Sequence, residues 1–97
     1  MTITVISKRV FNMKNGDKLI PLLKALRNHA EKQKGFISRK TYTSLSNPGE
    51  SIVISKWKTA GAWEKWMAKE KTKKLQGKVD SLIGEKTIYD IYQPETY

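Results

Sequence analysis

Three tryptophans, Trp57, Trp63 and Trp66, fall within ten positions, where a strand-like run passes directly into a helix start. Large aromatic rings beside such a corner can wall a slot for a flat organic molecule, and they can equally form the core of a small domain. Other residue types that carry chemistry are absent or scattered. The chain has no cysteine, which excludes disulfides, thiolate catalysis and thiolate metal sites. Its one histidine, His29, argues against a zinc or copper centre built from protein ligands alone. That histidine falls late on a helix, outside the apolar stripe, and reads as a surface residue. No carboxylate pair, nucleophile–base pair, glycine-rich phosphate loop or metal-ligand spacing appears. Hydrolase, kinase and metalloenzyme chemistry therefore have no support in the sequence.

The elements that must position the tryptophans alternate clearly. Thr2 to Phe11 reads as a strand, rich in β-branched residues. Asn12 to Asp17 reads as a turn leading into a helix cap. Leu19, Leu23, Leu26 and Ala30 then recur at helical spacing, with Pro21 placed in the first turn, where a missing N–H costs least. Gly35 stops this helix. Phe36 to Leu45 is a second strand, and Ser46 to Glu50 a tight connection to a third, Ile52 to Lys58, so these two form an antiparallel hairpin. Thr59 caps a second helix that carries Trp63, Trp66 and Met67 inward. A break near Lys69–Thr72 is expected, because Leu75, Val79 and Leu82 resume the stripe in shifted phase. Gly84 ends the helix, and Lys86 to Tyr92 is the last strand, which Pro94 keeps short.

The order β-α-β-β-α-β specifies an α+β, ferredoxin-like fold with a four-stranded antiparallel sheet. In that arrangement the first and third strands are central. Here they are the most apolar, with Ile3 to Ile6 and Ile52 to Ile54, whereas Ser38 to Thr41 and Lys86, Thr87 and Asp90 put polar and charged groups on the edges. Successive strand residues point to opposite faces, yet Val5 and Ile6, Val53 and Ile54, and Ile88 and Tyr89 place apolar groups on both. Two helices cover only one face. A second copy is the expected shield for the other, giving a homodimer joined sheet to sheet.

Bulk properties agree with a small domain. A chain of 97 residues reads as one domain, residues 1–97. At this size folding buries only about 60–65% of the unfolded chain's surface, so the core is thin. The net charge is +10, and six lysines lie between Lys65 and Lys78. These read as a solvated helical face. No nucleic-acid-binding module is legible, which argues against a nucleic-acid partner. No run approaches the roughly 18 apolar residues of a membrane span. The N-terminus lacks a basic stretch ahead of an apolar run. A cytoplasmic protein without membrane contact is the expectation.

Gly35-Phe36-Ile37 at a helix-to-strand corner, the run Ile54-Ser-Lys-Trp-Lys58, and Ala62-Trp-Glu-Lys-Trp66 together make a pattern. It resembles the antibiotic biosynthesis monooxygenase (ABM) domain of the dimeric α/β-barrel superfamily, from about Ile3 to Tyr92. The resemblance implies a homodimer with one cleft per subunit between helices and sheet. It also implies oxidation of an aromatic, quinol-like or polycyclic substrate by molecular oxygen, with no bound cofactor. Trp66 stands where the family commonly has a cleft tryptophan. The haem-degrading branch adds a first-strand asparagine and a histidine on the second helical segment. The matching places hold approximately Lys8 and Gln76, so the axial ligand to iron is missing and haem degradation is disfavoured.

In a cofactor-free reaction the protein must supply a flat apolar slot, a cation or donor near a developing oxyanion, and exclusion of water. Trp66, Trp63 and Trp57 are the candidate walls. Lys8, Arg39 and Tyr42 are the candidate catalytic groups, Lys56 a further substrate contact, and Ser7 and Ser55 possible donors. A non-catalytic or non-oxidative ligand-binding member of the same fold is the alternative.

Overall fold

The computed structural model describes residues 2–11 and 16–96. Its elements run β1 (Ile3–Val10), α1 (Gly16–Glu31), β2 (Phe36–Thr43), β3 (Glu50–Trp57), α2 (Ala60–Ala68), α3 (Glu70–Ile83) and β4 (Ile88–Tyr92). The strands form one antiparallel sheet in the order β2-β3-β1-β4. The two apolar strands are thus central and the two charged ones are edges, the ferredoxin-like arrangement. The turn expected over Asn12 to Asp17 lies outside the described residues as far as residue 15.

Register decides which side chains reach the helices. Ile3, Val5, Ser7 and Arg9 of β1 pair with Trp57, Ser55, Val53 and Ser51 of β3, and all face α1–α3. A β-bulge between Phe36 and Ser38 leaves Ile37 as an extra residue. Phe36 faces the helices opposite Trp57, and the bulge brings Arg39 and Thr41 onto that same face, opposite Ser55 and Val53. The core gathers Ile3, Val5, Leu19, Leu26, Ala30, Trp57, Trp66 and Val79. Leu23 is only half-buried, because its part of the stripe borders a cleft instead of the core.

Several local details follow from caps and turns. Thr59 Oγ1 accepts from the Ala62 N–H at 3.0 Å and starts α2. The helical break falls at Lys69, whose ψ of 141° ends α2 and opens α3. Gly35 has φ +93°, and a Cβ there would lie 2.6 Å from Ala62 Cβ, so glycine both permits the turn and admits α2. Two expectations need correction. Because α1 already begins at Gly16, Pro21 sits beyond the first turn and one helical hydrogen bond is forgone. β4 begins at Ile88, since Thr87 turns its hydroxyl and N–H to Asp80 and does not join the ladder. The lysines at 65, 69, 71, 73, 74 and 78 are all exposed on α2 and α3.

The sheet's other face carries Ile6 opposite Ile54, with Ile52, Tyr42, Ile88 and Tyr92 around them. Tyr42, Ile88 and Tyr92 are exposed, as is Val10 on the same face. Lys8, Lys40, Lys56 and Asp90 share this face, so its apolar side chains are interspersed with charges.

Candidate active site

Between the sheet and the helices lie two adjoining chambers. The inner one is aromatic. Trp57, fully buried, forms its floor and stacks on Trp66 with centroids 5.5 Å apart and an interplanar angle of 28°. Phe36 meets Trp57 edge-on at 5.4 Å, and Leu26, Ala30 and Trp63 complete the walls. Trp63 is held in place by an edge contact with Tyr89 at 5.9 Å. The outer chamber is bordered by Phe11, Ile20, Lys24, Thr41 and Ser51. Arg9, Arg27 and Arg39 line both chambers, together with Leu23 and Val53, and so stand where the two meet.

Volume limits what can enter. The chambers measure ≈ 50 Å³ and ≈ 170 Å³. Joined, they are somewhat larger than the ~150 Å³ apolar cavity known to accept benzene. The space suits one ring with substituents and is small for a polycyclic molecule in this conformation.

The charge of the cleft has one sign. Among the described residues, no aspartate or glutamate lines either chamber. Arg9 is buried on a central strand and is held by a relay. Its Nε donates to Thr87 Oγ1 at 3.0 Å, and the Thr87 hydroxyl donates to Asp80 Oδ1 at 2.7 Å. Its Nη2 donates to Gln76 Oε1 at 3.0 Å. Burial lowers the Arg9 pKa from its ordinary value, while the neighbouring Tyr89 and Asp80 act to raise it. Tyr89 is pushed upward by burial, with Arg9 opposing. Arg39 is lowered first by burial, then by repulsion from Arg27, with Glu31 opposing and Arg9 adding to the repulsion. Like charges crowded together in a half-buried cleft repel until an anion joins them.

One indole of the cleft wall has an unpaired N–H. Trp66 is 8% exposed and lines the inner chamber, and its Nε1 is buried with no hydrogen-bond partner among the described residues. Trp57 differs, because its Nε1 donates to Ser55 Oγ at 3.2 Å.

The structure sorts the residues singled out in the sequence. Trp57, Trp63, Trp66, Arg39, Ser7 and Ser55 line the inner chamber together. Lys8, Lys56 and Tyr42 do not reach it. They occupy alternate positions of their strands and point to the opposite face, where Lys8 Nζ pairs with Glu50 Oε1 at 3.1 Å and Lys40 lies over the Tyr42 ring. Gln76 is buried on α3 and is the acceptor for Arg9. His29 is half-buried, not a surface residue. Its Nε2 lies 2.9 Å from Thr72 Oγ1 and its ring 6.2 Å from that of Trp66, behind the cleft wall.

Arg9 and Arg27 escape a reading of the sequence alone. A signal for Arg9 existed in the alternation Ile3, Val5, Ser7, Arg9, in phase with Trp57, Ser55, Val53 and Ser51 once the hairpin register is known. Arg27 follows Leu23 by one helical turn and so borders the same cleft.

Residues 2–78 match the family described as antibiotic biosynthesis monooxygenase. Comparison with curated proteins gives no match. Similar solved structures include a conserved protein from Methanosarcina mazei Go1, with TM-score 0.87 and 21% identity over 98% of this chain and 94% of that one. Rv0793 from Mycobacterium tuberculosis gives TM-score 0.83 and 16% identity over 100% and 98%. SnoaB, a cofactor-independent oxygenase from Streptomyces nogalater, gives TM-score 0.82 and 9% identity over 99% and 95%. At these identities the likeness is one of fold.

Proposed function

Since the chain belongs to the antibiotic biosynthesis monooxygenase family, we propose that it is a small oxygenase that oxidises a hydroxylated aromatic compound with dioxygen and no bound cofactor. One observation carries this reading: an aromatic-walled cleft whose only charged lining groups, among the described residues, are cations.

A phenol ionises near pH 10 in water, and a cation within contact distance lowers such a pKa by about 1–3 units. The arginines therefore bring phenolate within reach near neutral pH without a general base, most readily for a ring hydroxyl already more acidic than that of phenol itself. A bound phenolate gives one electron to dioxygen, and the ring radical and superoxide then combine at the para carbon. The peroxide so formed loses water as the C–H proton leaves and the O–O bond breaks. A phenol and dioxygen become a quinone and water, and every electron lost by the ring is taken up by oxygen, so no outside reductant enters. In this scheme Arg9 steadies the developing oxyanion, the Trp66 N–H supplies a hydrogen bond, and Trp57, Trp63 and Phe36 exclude water.

The working unit in this proposal is a homodimer formed through the apolar sheet face around Ile6 and Ile54. Its support is the exposed apolar area there, which a second copy of the same chain would cover.

Oxygen uptake with a panel of monocyclic and bicyclic phenols and quinols, alongside anthrone, tests the reaction. The expected result is one dioxygen consumed per quinone formed, with turnover falling in Trp66→Phe and Arg9→Gln. If no compound turns over above buffer, the oxygenase reading falls. The second reading, a binding protein without chemistry, is favoured by one observation: no imidazole or carboxylate lines either chamber among the described residues.

A further inference from the structure

The three arginines exceed what a single phenolate requires. Arg9 is already engaged from behind by Thr87 and Gln76. Arg27 and Arg39 are differently placed. Arg27 is exposed, at the mouth of the cleft. Arg39 is half-buried, and its Nη2 donates to Thr41 Oγ1 at 3.4 Å, a weak contact. Lys24 borders the outer chamber on the same side. A central-sheet cleft with this many cations and no lining carboxylate is costly to form. The cost is relieved when the ligand brings negative charge of its own.

We infer that the ligand is a single-ring aromatic acid: a ring that spans the joined chambers with one edge toward Trp57, Trp63 and Trp66, bearing a permanently ionised carboxylate or phosphate held by Arg27 and Arg39. Planar guanidinium groups suit such a group because each can donate two parallel N–H bonds to it. The joined chambers are of a size for one ring and its substituents, with the anionic group at the waist where the arginines stand. This inference rests on the oxygenase reading only for the identity of the ring hydroxyl; the anion site stands on the charge of the cleft.

Binding of non-oxidisable probes separates the two. Tryptophan fluorescence and calorimetry would be used with benzoate, phenyl phosphate and benzamide, which share a ring and differ in charge and anion type. The expected result is that an anionic probe binds at least about tenfold more tightly than benzamide. Arg39→Gln and Arg27→Gln should each remove most of that preference, while benzamide affinity stays within a factor of about two. Carboxylate against phosphate is decided by which of the two anionic probes binds more tightly. Denaturant midpoints of both variants are measured alongside, and a midpoint equal to wild type shows that lost binding is not lost folding. Equal affinity for charged and neutral probes, or full anion preference retained in both variants, would overturn the inference. If the anionic probes bind as expected but hydroxybenzoates and hydroxyphenyl phosphates consume no oxygen, the anion site stands and the oxygenase reading falls.

Discussion

Arg9 Nη2 donates to Gln76 Oε1 across 3.0 Å, and this bond joins the central strand β1 to the middle of α3 at the back of the cleft. A guanidinium on a central strand must be hydrogen-bonded to be tolerated there. The companion bond to Thr87 connects it by a hydroxyl relay to Asp80, so the balancing carboxylate sits outside the cleft and leaves the lining positive.

Thr87→Val removes a hydroxyl that accepts from Arg9 and donates to Asp80. It should cost about 1–3 kcal/mol, because a buried charged donor loses its partner. Gln76→Leu should cost a similar amount for the same reason. Urea unfolding followed by circular dichroism measures both. A midpoint unchanged in Thr87→Val would mean that the relay does not hold Arg9.

The fold was legible because each element carries its own signal: the leucine stripe of α1, the Thr59 cap, the glycines at 35 and 84, and the contrast between apolar central and charged edge strands. The cleft was half legible. Trp57 and Trp66 are adjacent to a corner that any reading would notice. What could not be read was which alternate residues of β1 and β3 face the helices, because Val5 and Ile6, and Val53 and Ile54, are equally apolar. That ambiguity placed Lys8 and Lys56 in the candidate site and left Arg9 out, and the bulge in β2 turns Tyr42 away. The bulge at Ile37, which turns Arg39 inward, has no marker in the sequence.

His29 gives a prediction about pH. Burial lowers its pKa from the ordinary value near 6.5, and Lys71, Lys69 and Lys32 lower it further. The Gln33 side-chain amide faces Nδ1 at 3.3 Å, which leaves the proton on Nε2 to donate to Thr72. The folded state thus binds this proton less readily than the unfolded chain. Its contribution to stability is fully present above the unfolded pKa and is lost as pH falls through and below that value. Chemical denaturation between about pH 5 and pH 8 should show stability declining toward acid, with a shallower decline in His29→Gln. Identical slopes would rule His29 out as the cause.

Gly35→Ala should destabilise by at least about 1–2 kcal/mol, the cost of a left-handed backbone for a residue with a Cβ. The added methyl also meets Ala62 Cβ at 2.6 Å. Ala62→Gly in the same chain should recover only the steric part, since φ remains +93°. A double-mutant cycle separates the two, and complete rescue would show that backbone conformation contributes nothing.

The sheet face opposite the helices gives an assembly test. If a second copy covers Ile6 and Ile54, wild-type protein sediments at twice the chain mass of 11.1 kDa. Ile54→Lys, which buries an unpaired charge in that interface, should then sediment as a folded single chain. Wild-type protein sedimenting as one chain at micromolar concentration would remove the dimer from the proposal.

Trp66 and Trp57 stack on each other, yet substituting phenylalanine should affect them differently. At Trp57 the change removes a hydrogen bond to Ser55 and opens space in a fully buried position. Both effects destabilise, and a large-to-smaller core change of this kind costs on the order of 1–3 kcal/mol. At Trp66 the change also leaves a void, but it removes a buried N–H that has no partner, so part of the packing loss is returned. Trp66→Phe should therefore be less destabilising than Trp57→Phe in the free protein. With ligand bound the order should reverse if the Trp66 N–H, which unlike that of Trp57 is not already bonded, turns to the ligand. Its loss should weaken binding of an anionic ring by roughly fivefold to tenfold, the worth of one hydrogen bond. Unfolding midpoints with and without a saturating aromatic anion measure the crossover. If Trp66→Phe loses stability in the free protein and keeps full ligand affinity, the indole is packing alone and the orphaned donor has no role in recognition.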